Sequence, residues 1–338
     1  MQPRNQADPE ELGGIALAGR LGEGGMGTVY YGVTEDGTPV AVKTIRDAQL
    51  GKAEARSRFE REILALGMVQ GPRIAALIDS CQPGEMPPWL AVEYIQGLTL
   101  KEYVEDKGPL TGTMGAALGL LLAEALTAIH QVGLLHRDFK PANIILGRDG
   151  PIVIDFGLVG LLDEAGDITT TGERLGTPAC MAPEQVNSAR DLPPATDVYA
   201  LGATLTFALT GHYLYQRPGS QAIMAAIADL NAAPDLSGLP DQMREPVQAM
   251  LAHDPDARPG LPAVTQALTQ VLADAGLTPA QEQRRFADLT YIERKSDPDT
   301  PAPRRVRQRL QEDPRVPSQL VREIAESLRQ EYSASAAF

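Results

Sequence analysis

Short stretches in which apolar and polar residues alternate dominate the first hundred residues. This alternation predicts β-strands. The five stretches are 15–21, 27–32, 39–45, 74–78 and 89–94. The Asp36-Gly37 pair between the second and third stretches predicts a tight hairpin. Residues 53–68 are the exception, because their apolar side chains recur at the spacing of one helical face.

After residue 97 the apolar positions follow the longer period of helices. The predicted helices cover 99–106, 113–131, 195–211, 222–230, 245–252 and 262–275. Residues 113–131 are apolar on nearly every face, which predicts a helix buried in a core. Short strands and turns are predicted at 134–157. The pattern indicates an α+β chain, in which a small β-rich lobe, residues 1–95, precedes a larger helical lobe, residues 96–276.

Residues 277–338 have the composition of a linker. Prolines at 298, 301, 303, 314 and 317 exclude one long helix. Four arginines cluster at 304, 305, 307 and 309. Residues 318–332 are a predicted amphipathic helix. We predict a tail that mediates self-association or docks on a partner or on the rest of the chain, with a solvated linker as the alternative.

Composition and charge narrow the classes of function. The formal net charge is −14, and because residues 281–338 carry 11 basic and 10 acidic side chains, the remainder carries −15. Such a charge argues against nucleic acid and anionic lipid as partners. No apolar run reaches 18 residues, so no membrane span is predicted. Two cysteines and an N-terminus without an apolar stretch favour a cytoplasmic protein.

A glycine-rich segment near the N-terminus is a candidate phosphate-binding loop. Gly22, Gly24 and Gly27 form a GxGxxG pattern. Glycines allow a backbone to approach phosphates and direct N–H groups at them. A dinucleotide-binding fold would need a helix directly after the glycines. The β-prone residues 28–31 follow instead, which predicts a hairpin that covers the ligand.

A lysine follows this segment at a distance suited to phosphate binding. Lys43 ends the apolar run Val40-Ala41-Val42. A lysine in such a strand often extends its amine to the sheet edge, but 16 residues after the glycines it is placed to contact an anion beneath them. Glu62, on the predicted helix that follows, is a candidate partner, and a solvated carboxylate is the alternative.

Carboxylate, amide and ammonium groups cluster in the middle of the chain. Asp138 is a candidate base, Lys140 a candidate charge neutraliser and Asn143 a candidate metal ligand. Asp155 follows 12 residues later, after an apolar strand. Carboxylate and amide oxygens suit Mg²⁺. A glycine flap, a lysine and an Asp/Asn pair together predict a nucleotide–Mg²⁺ site.

These segments resemble the eukaryotic-like (Hanks-type) serine/threonine protein kinases of bacteria, whose motifs and chemistry are general knowledge. The resemblance covers roughly residues 13–275. It rests on LGEGGMGTV at 21–29, VAVK at 40–43, HRDFKPAN at 136–143, DFG at 155–157, GTPACMAPE at 176–184 and DVYALG at 197–202. It implies the bilobal kinase fold, protein substrates, and ATP with Mg²⁺ or Mn²⁺.

The resemblance also implies a role for each matching catalytic residue. Lys43 would hold the α- and β-phosphates and pair with Glu62. Asp138 would orient the acceptor hydroxyl and take its proton, and Lys140 would steady the γ-phosphoryl group. Asn143 and Asp155 would bind the metal. Lys140 and Thr177 favour serine or threonine over tyrosine as the acceptor.

The same resemblance implies a nucleotide pocket, although ordinary core packing is the alternative for its apolar members. Its predicted members are Leu21, Gly22, Gly24, Gly27, Val29, Ala41, Lys43, Val92, Glu93, Ile95 and Ile145. Glu93 to Ile95 would be the hinge that meets the purine, with Val92 as the gatekeeper. Elsewhere, Glu184 is expected to pair with Arg258, and Asp197 to hold the backbone of the catalytic loop.

Regulation is expected in the segment between DFG and APE. Autophosphorylation is predicted among Thr169, Thr170 and Thr171, with Arg137 as the partner of the phosphate. Cys180 stands where the family usually has an aromatic residue, and it is either a small buried residue or a thiol that oxidants reach.

A pseudokinase scaffold and a small-molecule phosphotransferase are the alternative functions. The retained Lys43, Asp138 and Asp155 argue against the first, and the APE segment with Arg258 argues against the second.

Overall fold

In a computed structural model of the chain, the N-terminal strands form one six-stranded sheet. The structure describes residues 1–24, 27–45, 63, 67–82, 87–155, 178–187 and 192–294. The sheet has the order β1-β2-β3-β4-β6-β5, and every neighbouring pair is antiparallel. Its strands are β1 (Glu11–Leu12), β2 (Ile15–Gly24), β3 (Gly27–Val33), β4 (Pro39–Ile45), β5 (Leu77–Ser80) and β6 (Trp89–Glu93).

Both predicted hairpins are confirmed. The glycine-rich segment joins β2 to β3, whose last paired residues are Gly24 and Gly27, and it does not lead into a helix. Between β3 and β4 the amide of Thr34 donates to the carbonyl of Thr38 at 3.0 Å. Gly37 has a φ of 81° in this turn, which a residue with a side chain rarely adopts.

The two faces of this sheet have different environments. One face is buried in a small core made by Leu12, Ile15, Leu17, Tyr30, Val40, Val42, Trp89 and Ala91. Residues directly opposite each other in an antiparallel pair share a face. The pairs Ala41–Val92 and Val29–Lys43 therefore lie together on the other face, and this face bears the candidate site.

Helices are the predominant elements among the described residues after residue 97, as the apolar pattern predicts. They are α1 (Leu100–Lys107), α2 (Gly112–Gln131), α3 (Pro183–Val186), α4 (Ala195–Thr210), α5 (Ser220–Ala228), α6 (Asp241–Met250), α7 (Leu261–Asp274) and α8 (Pro279–Thr290). A small antiparallel sheet accompanies them, formed by β7 (Leu98–Thr99), β8 (Ile144–Gly147) and β9 (Gly150–Val153). The main hydrophobic core lies among these elements.

Helix α2 is the central element of this core. It packs against α4, α7 and α8. The absence of a side chain at Gly119 allows α7 to approach α2 closely. A Cβ at this position would lie only 2.6 Å from a methyl group of Leu268. Among the described residues it is the one helix whose length and composition would also suit a membrane span, but 78% of its apolar window is buried inside the protein, as in the core helix of a globular lobe.

Helix α8 differs from the sequence-based expectation. Residues from 277 onward have a linker-like composition, yet Pro279–Thr290 form a helix. The Thr278 side chain caps it in a reciprocal capping box with Gln281, and Phe286 is fully buried. The apolar periodicity of this helix is weak in the sequence, because Glu282 and Thr290 occupy buried positions beside Phe286. The predicted helix at 318–332 lies outside the described residues.

Candidate active site

An ion pair joins the two lobes at the candidate site. Lys43 Nζ on β4 lies 3.0 Å from Asp155 Oδ1. The Lys43 side chain is buried, whereas that of Asp155 is 40% exposed. Desolvation alone would raise the pKa of Asp155, but the charge and hydrogen bond of Lys43 lower it, so the carboxylate is ionised. Glu62, the other predicted partner of Lys43, lies outside the described residues.

The predicted base is held by its neighbours in the catalytic loop. Lys140 Nζ contacts Asp138 Oδ2 at 2.6 Å, and Asn143 Nδ2 donates to the same oxygen at 3.0 Å. Asn143 Nδ2 also donates to the Asp138 carbonyl at 2.9 Å. None of these contacts involves Oδ1 of Asp138. The arrangement fixes the carboxylate and leaves Oδ1 for an acceptor hydroxyl.

A buried carboxylate positions this loop from below. Asp197, on α4, is fully buried and accepts hydrogen bonds from the backbone amides of His136 at 2.8 Å and Arg137 at 3.0 Å. Its Oδ2 is also 2.8 Å from His130 Nε2. Burial would raise the pKa of Asp197, but these hydrogen bonds and nearby histidines lower it. The prediction that Asp197 holds the loop backbone is confirmed.

Asn143 and Asp155 fit a hard divalent cation. The amide of Ile154, next to Asp155, donates to the Asn143 carbonyl at 2.9 Å, which brings the two segments together. The Asn143 side chain uses Nδ2 for its hydrogen bonds to Asp138, and no described residue donates to its Oδ1. One carboxylate and one amide oxygen are donors that Mg²⁺ accepts.

Most of the predicted apolar pocket residues lie at partly exposed positions of otherwise buried strands. Leu21, Val29, Ala41, Val92, Ile95 and Ile145 all have intermediate exposure, whereas their strand neighbours Tyr30, Val40, Val42, Ala91, Ile144 and Leu146 are buried. Ile95 approaches Gly147 at the end of β8, where a Cβ would lie 3.2 Å from its methyl group. The predicted hinge thus lies beside the strand that carries Ile145. Gly22 is exposed and Gly27 is buried.

A second ion pair, which is more deeply buried, stabilises the APE segment at residues 182–184. Arg258 Nη1 and Nη2 contact the two carboxylate oxygens of Glu184 at 2.7 and 2.8 Å. Burial would raise the pKa of Glu184, but hydrogen bonds from Arg258 and Thr196 lower it. The predicted pairing is confirmed.

Cys180 is a small buried residue, which is the first of the two interpretations offered by the sequence. Its side chain is buried, and desolvation raises the pKa of the thiol to about 12. Because the thiolate is the reactive form, this cysteine acts as a small apolar residue. An oxidant-accessible thiol is therefore the wrong interpretation.

The sequence interpretation overlooked Gln185. Its Nε2 donates to the Arg137 carbonyl at 2.7 Å, and its Oε1 accepts from the Ala182 amide at 3.0 Å. It thus ties the APE segment to the residue before Asp138. The available signal was a glutamine at the third position of a helix that starts with proline, where capping-box side chains lie.

The protein kinase domain family model matches residues 15–271, and the chain belongs to that family. The probable serine/threonine-protein kinase PkwA of Thermomonospora curvata is 42% identical over 259 residues, which are 77% of this chain and 34% of that protein. The serine/threonine-protein kinase AfsK of Streptomyces coelicolor is 39% identical over 262 residues, 78% of this chain and 32% of that protein. The chain spans about a third of the length of these two curated relatives.

Solved structures share the fold. The crystal structure of the Mycobacterium tuberculosis PknI kinase domain has a TM-score of 0.61 and 25% identity, and the match covers 77% of this chain and 97% of that chain. The structure of Rad53 1–466 in complex with AMP-PNP has a TM-score of 0.62 and 22% identity, covering 75% of this chain and 64% of that one. The bilobal α+β kinase architecture predicted from the sequence is confirmed.

We predict that Glu184→Gln destabilises the protein by about 3–5 kcal/mol at neutral pH, because it leaves the buried Arg258 charge without its counter-ion. The pKa of Glu184 is lowered on folding, so the stabilisation it contributes is complete above its unfolded pKa and disappears as pH falls through the lower folded value. Urea unfolding of both proteins between neutral and acidic pH measures the difference. A difference that grows toward acidic pH would contradict the ion-pair explanation.

Proposed function

We propose that the protein is a serine/threonine protein kinase that transfers the γ-phosphoryl group of ATP to hydroxyl groups of protein substrates. The observation that carries the proposal is the position of the Asp138 carboxylate, whose Oδ2 is held by Lys140 and Asn143. The Lys43–Asp155 pair lies in the same site at 3.0 Å. Together these residues supply a base, a phosphate-binding cation and a metal ligand.

The chemistry follows from the roles that this geometry allows. Asp138 Oδ1 accepts the hydrogen bond of the substrate hydroxyl and orients its oxygen toward the phosphorus, and it takes the proton as the new bond forms. The Lys140 ammonium, already 2.6 Å from Asp138, would neutralise charge on the transferred group. Lys43 binds phosphate oxygens. Asn143 and Asp155 would hold Mg²⁺, which supplies charge neutralisation at the phosphates.

Serine and threonine are the proposed acceptors. Lys140 stands two residues after Asp138, as in the serine/threonine form of the catalytic loop, and Thr177, the second residue that suggests this acceptor, lies outside the described residues. The names of PkwA and AfsK agree with this acceptor class. The Rad53 complex with AMP-PNP supports ATP as the donor, and both Mg²⁺ and Mn²⁺ suit the Asn143 and Asp155 oxygens.

Two substitutions test the catalytic assignment. Asp155→Asn removes the charged metal ligand and is expected to abolish Mg²⁺-dependent transfer, whereas Asp138→Asn is expected to reduce kcat by roughly 10²–10⁴. The measurement is incorporation of labelled phosphate into a generic basic protein. Asp149→Asn is the matched control, since Asp149 is exposed in the turn between β8 and β9. Full activity in both site variants would refute the assignment, and an inactive wild type would favour a scaffold.

Autophosphorylation of the activation segment is part of the proposal. Thr169, Thr170 and Thr171 lie outside the described residues, but Arg137 is described. Its backbone is fixed by Asp197 and Gln185, and its guanidinium forms no ion pair or hydrogen bond with any described residue. It is therefore a suitable partner for a phosphate.

We expect mass spectrometry of enzyme incubated with ATP and Mg²⁺ to find phosphate on at least one of Thr169, Thr170 and Thr171. A variant with all three changed to alanine is expected to lose part of its activity, because the phosphate can no longer pair with Arg137. Asp138→Asn protein is the control for modification by other enzymes. A fully active enzyme with bare threonines would exclude this route of activation.

The tail is proposed as a docking segment, and a cytoplasmic location stays a prediction. Residues 295–338 lie outside the described residues, and their arginines at 304, 305, 307 and 309 oppose the charge of −15 on residues 1–280. Changing these four arginines to glutamine in the full chain is expected to alter basal rate or oligomeric state. Light scattering and steady-state kinetics measure both. If neither changes, the linker alternative is correct.

A further inference from the structure

The residues after α8 contact the segment that follows the predicted hinge. Tyr291 Oη donates to Gln96 Oε1 at 3.3 Å, and Gln96 Nε2 donates to Glu293 Oε1 at 3.2 Å. Arg294 forms an ion pair with Glu102 on α1. We call residues 291–294 the hinge strap. It links positions almost 200 residues apart in sequence.

The other end of this connection is anchored in the helical lobe. Helix α8 packs against α2 and β9, with Phe286 and Thr290 fully buried. The Arg148 guanidinium lies over the Tyr291 ring, 5.5 Å from its centroid. The strap therefore begins from a fixed point and does not simply rest on the surface.

The segment that the strap contacts is itself tightly coupled to the candidate nucleotide pocket. Gly97 has a φ of 148°, and a Cβ there would lie 2.3 Å from the Leu146 carbonyl oxygen on β8. The same strand carries Ile145, a predicted member of the pocket. A shift of Gln96 or Gly97 would therefore displace the strand that carries this residue.

Glu102 connects the strap to the first helix of the helical lobe. Its carboxylate accepts from the amide and the hydroxyl of Thr99, both at 2.8 Å, in the capping box of α1. Arg294 binds this same carboxylate. Movement of the strap would thus reach the start of α1 at Leu100, which follows the predicted hinge after the short strand β7.

We propose that Tyr291, Glu293 and Arg294 are positioning residues for nucleotide binding, which they promote by holding residues 96–102 in the geometry that accepts the adenine. This inference rests on the proposed function, because it requires ATP to bind at residues 93–95. The strap contacts no reacting group, so its loss weakens nucleotide affinity and leaves the phosphoryl-transfer step itself largely unchanged.

Full-length Arg294→Gln, Glu102→Gln and the double variant test the proposal. Glutamine at 102 keeps an oxygen for the cap of α1 but loses the charge that attracts Arg294. Isothermal titration with AMP-PNP and Mg²⁺ measures Kd, and steady-state kinetics measure KM for ATP and kcat. We expect each single variant to raise Kd and KM about two- to fivefold, the range of a partly exposed ion pair, with kcat nearly unchanged. The double variant should be no worse than either single variant.

Arg284→Gln is the matched control, because Arg284 is an exposed arginine of α8 that forms no ion pair with any described residue. It is expected to leave Kd unchanged. Tyr291→Phe is a milder variant that keeps the ring beneath Arg148 and removes the hydrogen bond to Gln96, and it should also raise Kd. Arg294→Lys should restore part of the affinity.

Several results would overturn the proposal. One is a lower melting temperature for Arg294→Gln and Tyr291→Phe with an unchanged Kd, which would assign the strap to stability alone. Another is an additive double variant. Failure of the wild-type protein to bind AMP-PNP would instead refute the proposed function, so the two failures are distinguishable.

Discussion

The buried carboxylate of Asp197 is the interaction on which the candidate site depends. It is fully buried among apolar residues of α4. It is stable there as an anion because two backbone amides donate to it and His130 Nε2 lies within hydrogen-bond distance of it. A buried anion without such partners would cost several kcal/mol. The need to satisfy this charge therefore fixes the backbone of His136 and Arg137, and it fixes Asp138 directly after them.

Specific contacts, that of Asp197 among them, hold strained backbone at the site. Arg137 and Asp155 are the described non-glycine residues with positive φ, at 62° and 56°. Such conformations cost about 1–3 kcal/mol each and persist only where surrounding contacts hold them. Asp197 and Gln185 hold the amide and carbonyl of Arg137, and Lys43 holds the Asp155 side chain. Among the described non-glycine residues, the strain thus lies within the candidate site and directly beside its base.

Much of this arrangement could be predicted from the sequence, because the motifs place charged groups directly after or before strongly apolar strands. The strands around Lys43 and Asp155 and the buried helix α2 follow from periodicity alone. Helix α8 could not be predicted in this way, because a glutamate and a threonine share its buried face with Phe286. Gln185 was missed because its hydrogen bond to Arg137 spans 48 residues, and local patterns do not register such contacts.

Two contacts beside the candidate nucleotide pocket differ in chemical character. At the candidate site, the Lys43–Asp155 pair crosses between the lobes, and a nucleotide phosphate or a metal would compete for either partner. Next to the predicted hinge, the strap binds through hydrogen bonds and one ion pair that no step of the proposed reaction uses. The first contact can therefore rearrange when nucleotide binds while the second keeps residues 96–102 in place. Because a ligand gains affinity when its binding geometry is already populated, a fixed post-hinge segment beside an exchangeable ion pair suits a site that must bind and release nucleotide repeatedly.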